Sequence, residues 1–168
     1  MVSIKIALLA TIVLASSVLA GPAAVQGQVS QIDLCSLLSP DEVEAATGQK
    51  IYGQPQPMAL GSTGGLCDFE NAQVILFDGP NSEAAWDSMV AAFGYPDLER
   101  TPVPELGDRA YWVHPVPQSK YQDDGVFVVV PGDARTIAVS VNAAEGQAAE
   151  STLPAVIDLT ALVLQRLP

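Results

Sequence analysis

Histidine and cysteine are nearly missing from this chain, which carries one histidine, His114, and two cysteines, Cys35 and Cys67, in 168 residues. A zinc site takes three or four His, Cys or carboxylate ligands at short spacing, and this supply does not fill one. A serine nucleophile needs a base within hydrogen-bond reach, most often histidine. His114 stands between Val113 and Pro115 at the end of an apparent strand, and no Gly-x-Ser-x-Gly turn occurs. His114 is therefore read as a packing residue beside Trp112. Cations are scarce as well, with 7 Lys and Arg against 19 Asp and Glu, a formal charge of −12. Phosphate binding needs clustered Lys and Arg, so nucleic acid is not an expected partner. Anionic membrane surfaces are disfavoured for the same reason. No glycine-rich phosphate loop leads into a lysine. The acids are spread along the chain, which reads as solubility through net repulsion. Asp123, Asp124 and Asp133 come nearest to a calcium set, but they lack the Asp-x-Asp-x-Asp-Gly spacing and read as solvated turns. No metal or cofactor site is expected.

What the chain does have begins with a targeting segment. Lys5 supplies one positive charge, and an apolar run from Ile6 to Ala20 follows, ending in small residues. That is the layout of a secretory signal peptide. Cleavage is expected after Ala20, with Ala23 or Ala24 as alternatives. A retained anchor is the competing reading, but the run falls short of the roughly 20 apolar residues a spanning helix needs. Cys35 follows Asp33-Leu34, which does not suit lipid attachment, so a released protein is expected in the extracellular space or cell envelope. Residues 21–31 show no periodicity and read as a flexible lead-in. The remainder, 32–168, is the length of a single domain.

In a secreted chain two cysteines are expected to pair. The alternative, a catalytic or metal-binding thiol, needs a neighbouring His or further Cys. Ser39-Pro40-Asp41-Glu42 carries the signals of a helix start. Ser39 is a cap, Pro40 fits the first helical position, and Glu42 can reach back to the cap. Leu38 and Val43 are placed as a hydrophobic staple. The helix is expected to stop at Gly48. A strand start at Ile51-Tyr52, a loop over 53–65, and strands over 66–70 and 72–77 follow. A second helix from Ser82 to about Phe93 presents Trp86, Met89, Val90 and Phe93 on one face. Pro102 and Pro104 keep the chain extended, Leu106-Gly107-Asp108 turns it, and Arg109–Val113 is a strand. Arg109 is expected to pair with a neighbouring acid, its alternative role being to anchor an anionic ligand. Gly125–Val130 is rich in β-branched residues and reads as a central strand. Thr136–Asn142 alternates, with Ile137, Val139 and Val141 on one face. A last helix over about 151–167 presents Leu153, Val156, Ile157, Thr160, Leu164 and Leu167. The fold class is α+β: an antiparallel sheet of about five to six strands with helices packed mainly on one face.

Three stretches carry a resemblance. Asp33-Leu34-Cys35-Ser36-Leu37-Leu38-Ser39-Pro40-Asp41-Glu42-Val43-Glu44, then Gly65-Leu66-Cys67-Asp68-Phe69, then Val103-Pro104-Glu105-Leu106-Gly107-Asp108-Arg109-Ala110-Tyr111-Trp112 together resemble the small secreted DUF3558-type domains of actinobacteria. The resemblance spans roughly residues 32–167. It implies a Cys35–Cys67 disulfide, an envelope or extracellular location, and no catalytic residues. Members are typically lipid-anchored, and this chain departs from them by lacking the anchor cysteine.

The expected function is non-enzymatic binding of a small molecule or an envelope partner. The expected site is a cleft where the 53–65 and 115–124 loops meet, near Tyr111, Trp112 and Tyr121, because aromatics beside long loops are common at binding sites. One alternative is a small hydrolase using paired carboxylates, although nothing singles out a pair among the acids. The other is a structural or inhibitory envelope protein, recognised by a flat apolar patch.

Overall fold

Strand alternation decides the layering of this protein. In the computed structural model, which describes residues 32–92, 99–113 and 125–168, seven strands form one antiparallel sheet. They are β1 (Gln56–Leu60), β2 (Gly64–Asp68), β3 (Ala72–Asp78), β4 (Arg100–Pro102), β5 (Tyr111–Val113), β6 (Gly125–Pro131) and β7 (Arg135–Asn142). Their order across the sheet is β1-β2-β3-β7-β6-β5-β4. The helices are α1 (Pro40–Thr47), α2 (Ser82–Ala92) and α3 (Leu153–Arg166), with single 3-10 turns at Leu34–Ser36, Pro104–Leu106 and Ala149–Thr152. The expected signal peptide and lead-in, Phe93, His114, Tyr121 and the 115–124 loop lie outside the described residues.

On one face of the sheet Val74, Leu76, Ile137, Val139 and Val141 pack against α1 and α3. Residues one step along, Ile75, Phe77 and Ala138, face the other way and meet Trp86 of α2. The register Val74↔Val139 and Ile75↔Ala138 keeps the two sets apart. Each large side chain buried this way contributes about 1.5–3 kcal/mol. Two of the three helices share one face, as the α+β pattern predicts.

The sheet has seven strands where five to six were expected, and both of its edge strands differ from the expected ones. No strand begins at Ile51-Tyr52; β1 lies instead at 56–60, inside the stretch expected to be loop, and β4 is added at 100–102. The apolar stripe of α3 is also rotated from the expected one. Its buried positions are Val156, Leu159, Thr160 and Val163, while Leu153, Ile157, Leu164 and Leu167 are only partly buried against the core.

α1 starts as its sequence dictates. The Ser39 hydroxyl accepts from the Glu42 N–H, and the Glu42 carboxylate accepts from the Ser39 N–H at 2.9 Å. The helix ends at Gly48, in the left-handed region at φ 69°. Glu42 also receives Arg166 from the end of α3, and the same guanidinium donates to the Leu37 carbonyl at 2.7 Å. One carboxylate thus closes the start of α1 and ties it to the C-terminal helix. The Arg166 guanidinium, then the Ser39 N–H, hold the Glu42 carboxyl down at about 2.

Because the folded state lowers this pKa, the stability Glu42 adds is fully present above its ordinary value and fades as pH falls from 4.5 toward about 2. Glu42→Gln keeps the capping geometry but loses the charge that Arg166 meets, and is expected to destabilise the protein by about 0.5–1 kcal/mol near neutral pH. The variant and the parent should converge in that acid window. Urea unfolding of both at neutral pH and at the acid end checks it, and a gap that does not shrink would contradict the assignment.

Candidate functional site

The structure does not bring the expected aromatic site together. Tyr111 and Trp112 are neighbours on β5, so their side chains leave opposite faces of the sheet. Tyr111 is buried among the residues around Trp86 and Val129. Trp112 packs on the other side, against the core shared by α1 and α3. Tyr121 lies outside the described residues. Five inter-strand steps separate β1 from β5, about 24 Å, so the 53–65 stretch is far from both residues. The Tyr111 hydroxyl is buried and makes no hydrogen bond among the described residues. Burial pushes it up to about 12, the Arg100 guanidinium opposing and the Asp87 and Glu83 charges adding. The Trp86 indole pulls slightly downward without reaching hydrogen-bond geometry. Arg100 lies 4.6 Å over the ring. This is a packed, covered tyrosine.

Arg109 pairs with acids, reaching Asp133 at 3.0 Å and Glu83 at 3.2 Å. The other described cations, Lys50, Arg100, Arg135 and Arg166, are ion-paired too. Among the described residues no cluster of three or more His, Cys, Asp or Glu is placed to hold a metal.

A hollow of ≈ 240 Å³ lies instead at the other side of the sheet, beside β1. It is built from the disulfide outward. Cys35 and Cys67 are bonded, with Cα atoms 5.2 Å apart, and this bond presses the 3-10 turn at Leu34–Ser36 onto β2. Asp33 caps that turn by accepting from the Cys35 N–H at 3.1 Å. Ile32, Asp33 and Leu34 thereby become one wall, with Pro57 and Ala59 of β1 opposite. The floor is Gly65 and Leu76, paired across β2 and β3. A Cβ at Gly65 would meet Leu34 Cδ1 at 3.4 Å, so any larger side chain grows into the hollow. Gly64 serves the opposite face, where a Cβ would run into the Phe77 ring at 2.6 Å.

The segment entering β1 is anchored from below. Glu70, in the left-handed region at φ 70°, turns its carboxylate to the N–H groups of Tyr52 and Gly53, at 3.1 and 2.6 Å. Tyr52 is left 89% exposed, and Met58 of β1 49% exposed. No residue from Ile51 to Cys67 carries a charge. That uncharged run, in so acidic a chain, is the signal by which sequence reasoning could have found this site.

No family model matches the chain, and no curated protein matches it. A solved structure of a GTP-binding regulator from Thermotoga maritima is similar over 73% of this chain and 87% of its own, at 10% identity and a TM-score of 0.33. A likeness so distant says nothing of this chain's chemistry.

Two outcomes follow from the geometry. Replacing both Cys35 and Cys67 by Ala is expected to cost about 3–4 kcal/mol, the entropy of the opened loop, with the amides of 64–66 exchanging faster as the wall at 32–34 comes away. Hydrogen exchange and denaturant unfolding read both effects. Tyr111→Phe removes an unpartnered buried hydroxyl and should be neutral or stabilising by up to about 1 kcal/mol. A clear drop in thermal midpoint would show that the hydroxyl is used.

Proposed function

We propose that the chain is a secreted, non-enzymatic binding domain whose ligand site is the hollow along β1. One observation carries the reading: an apolar hollow of ≈ 240 Å³ opens beside a charge-free, exposed edge strand in a protein of net charge −12. Exposed apolar patches of this kind mark interaction sites. The disulfide is compatible with an oxidising, extracellular setting. No helix among the described residues is long and apolar enough to cross a membrane. Kinship with the DUF3558-type domains belongs to the same proposal. It is supported by the capping box at Ser39–Glu42, the Cys35–Cys67 bond and the Gly107 turn ahead of the aromatic strand.

The paired-carboxylate reading finds less support. Among the described residues Asp33 is the one carboxylate in the lining, and it is occupied in capping its own turn. The carboxyls whose titration is displaced, Glu42 and Glu44, are both held down, by Arg166 and by Lys50. A general acid needs the opposite shift.

The neutral fluorescent probe N-phenyl-1-naphthylamine should bind the oxidised protein with enhanced emission. Ala59→Trp places bulk in the hollow from an exposed position on β1 and should weaken that binding about fivefold or more. Tyr111→Phe should leave it unchanged. Sensitivity to Tyr111 with indifference to Ala59 would move the site elsewhere.

A further inference from the structure

Resting on the proposed site along β1, we infer that its occupant is a linear aliphatic chain with an uncharged head, and not a peptide strand or an anionic amphiphile. Three features of the hollow select this chemistry.

The first is the ladder edge. β1 is the outermost strand, and an extended peptide would dock there by exchanging main-chain hydrogen bonds. Pro57 has no N–H, and a proline fits a strand where that position faces solvent. A Cβ at Gly65 would lie 3.5 Å from the Met58 carbonyl oxygen, which marks Met58 as the residue turned toward β2. By alternation Pro55, Pro57 and Ala59 share the outward edge. Two of these three positions lack a donor, so Ala59 alone offers an N–H to an added strand.

The second is the lining itself. Ile32, Leu34, Pro57, Ala59 and Leu76 are aliphatic, and among the described residues no aromatic ring borders the hollow. Nucleobases and sugar faces, which owe their affinity to stacking, find no platform here, whereas a probe such as a naphthylamine needs only apolar contact. A flexible methylene chain needs only aliphatic contact and the glycine floor.

The third is charge. Among the described residues, the polar side chains in the lining are Asp33 and Thr63. Every described cation is already ion-paired, and none borders the hollow. A carboxylate, sulfate or phosphate head would meet Asp33 and a field of net charge −12 with nothing to receive it. A hydroxyl head meets Thr63 without that cost.

The test is displacement of bound N-phenyl-1-naphthylamine near neutral pH by 1-decanol, by decanoate, and by a capped, uncharged Val/Thr-rich hexapeptide. The expected result is displacement by 1-decanol at a concentration about tenfold or more below that of decanoate, with no displacement by the hexapeptide. Because decanoate is also the more water-soluble of the two, Ala59→Lys supplies the control. A cation at the rim should narrow the decanol-to-decanoate ratio to about threefold or less. Equal displacement by the two chains, an unchanged ratio in Ala59→Lys, or displacement by the hexapeptide overturns the choice of an uncharged aliphatic chain while leaving the site standing. Failure of the probe to bind at all overturns the site, and this inference with it.

Discussion

The Cys35–Cys67 bond is the constraint on which one side of this molecule depends. Cys67 is fully buried near the end of β2, and Cys35 sits in a turn of three residues that has no helix length of its own to hold it in place. Joining them fixes Leu34, Leu37 and Leu38 against the sheet, and from there the chain enters α1 through a capped first turn. A short helix of this kind is marginal in water. It persists because Leu38 and Val43 are buried and because Arg166 reaches back from the far end of the chain to Glu42. The wall of the hollow is a by-product of that same arrangement.

The few cations serve as ties between distant segments. Arg135 joins β7 to Asp78 at the end of β3. Arg100 and Arg109 both reach Glu83, bringing β4 and the turn before β5 to α2. Each pair is at least partly exposed and individually weak. Their collective effect is chemical: every described cation is committed to an acid away from β1, and the hollow beside β1 is bordered by the Asp33 carboxylate and by no described cation.

Much of the fold was legible in the sequence because its strongest signals are local. Ser39-Pro40-Asp41-Glu42, the Gly48 stop, and the alternation of Ile137, Val139 and Val141 all describe what they do in the structure. β1 was hidden because Pro55, Pro57 and the following Gly61-Ser62-Thr63 have the composition of a loop. Proline is tolerated in a strand only at an edge, and a sequence does not state which strand is the edge. The rotation of the α3 stripe toward Leu159 and Val163 reflects a helix apolar on so much of its circumference that periodicity alone does not choose the buried line. The candidate site was less legible. Tyr111 and Trp112 drew attention as adjacent aromatics, yet adjacency in a strand sends them to opposite faces. The hollow depends on Gly65 and Ala59, residues notable for how little they present.

The place of β7 in the sheet bears on how the molecule forms. It inserts between β3 and β6, so the β1–β3 meander and the β4–β6 strands become one sheet only when β7 arrives. Its partner on the N-terminal side is remote, since Asp78 and Arg135, joined by a 2.9 Å contact, are 57 residues apart in the chain. Non-local pairing of this sort slows folding, because a long loop must close before any contact rewards it. As the chain emerges N-terminus first, β1–β3 and both cysteines are available long before β7, and until β7 docks the inner edge of β3 stays open. Oxidation of the cysteines can therefore run ahead of the sheet, which makes the final step the meeting of a pre-stapled half with its missing central strand.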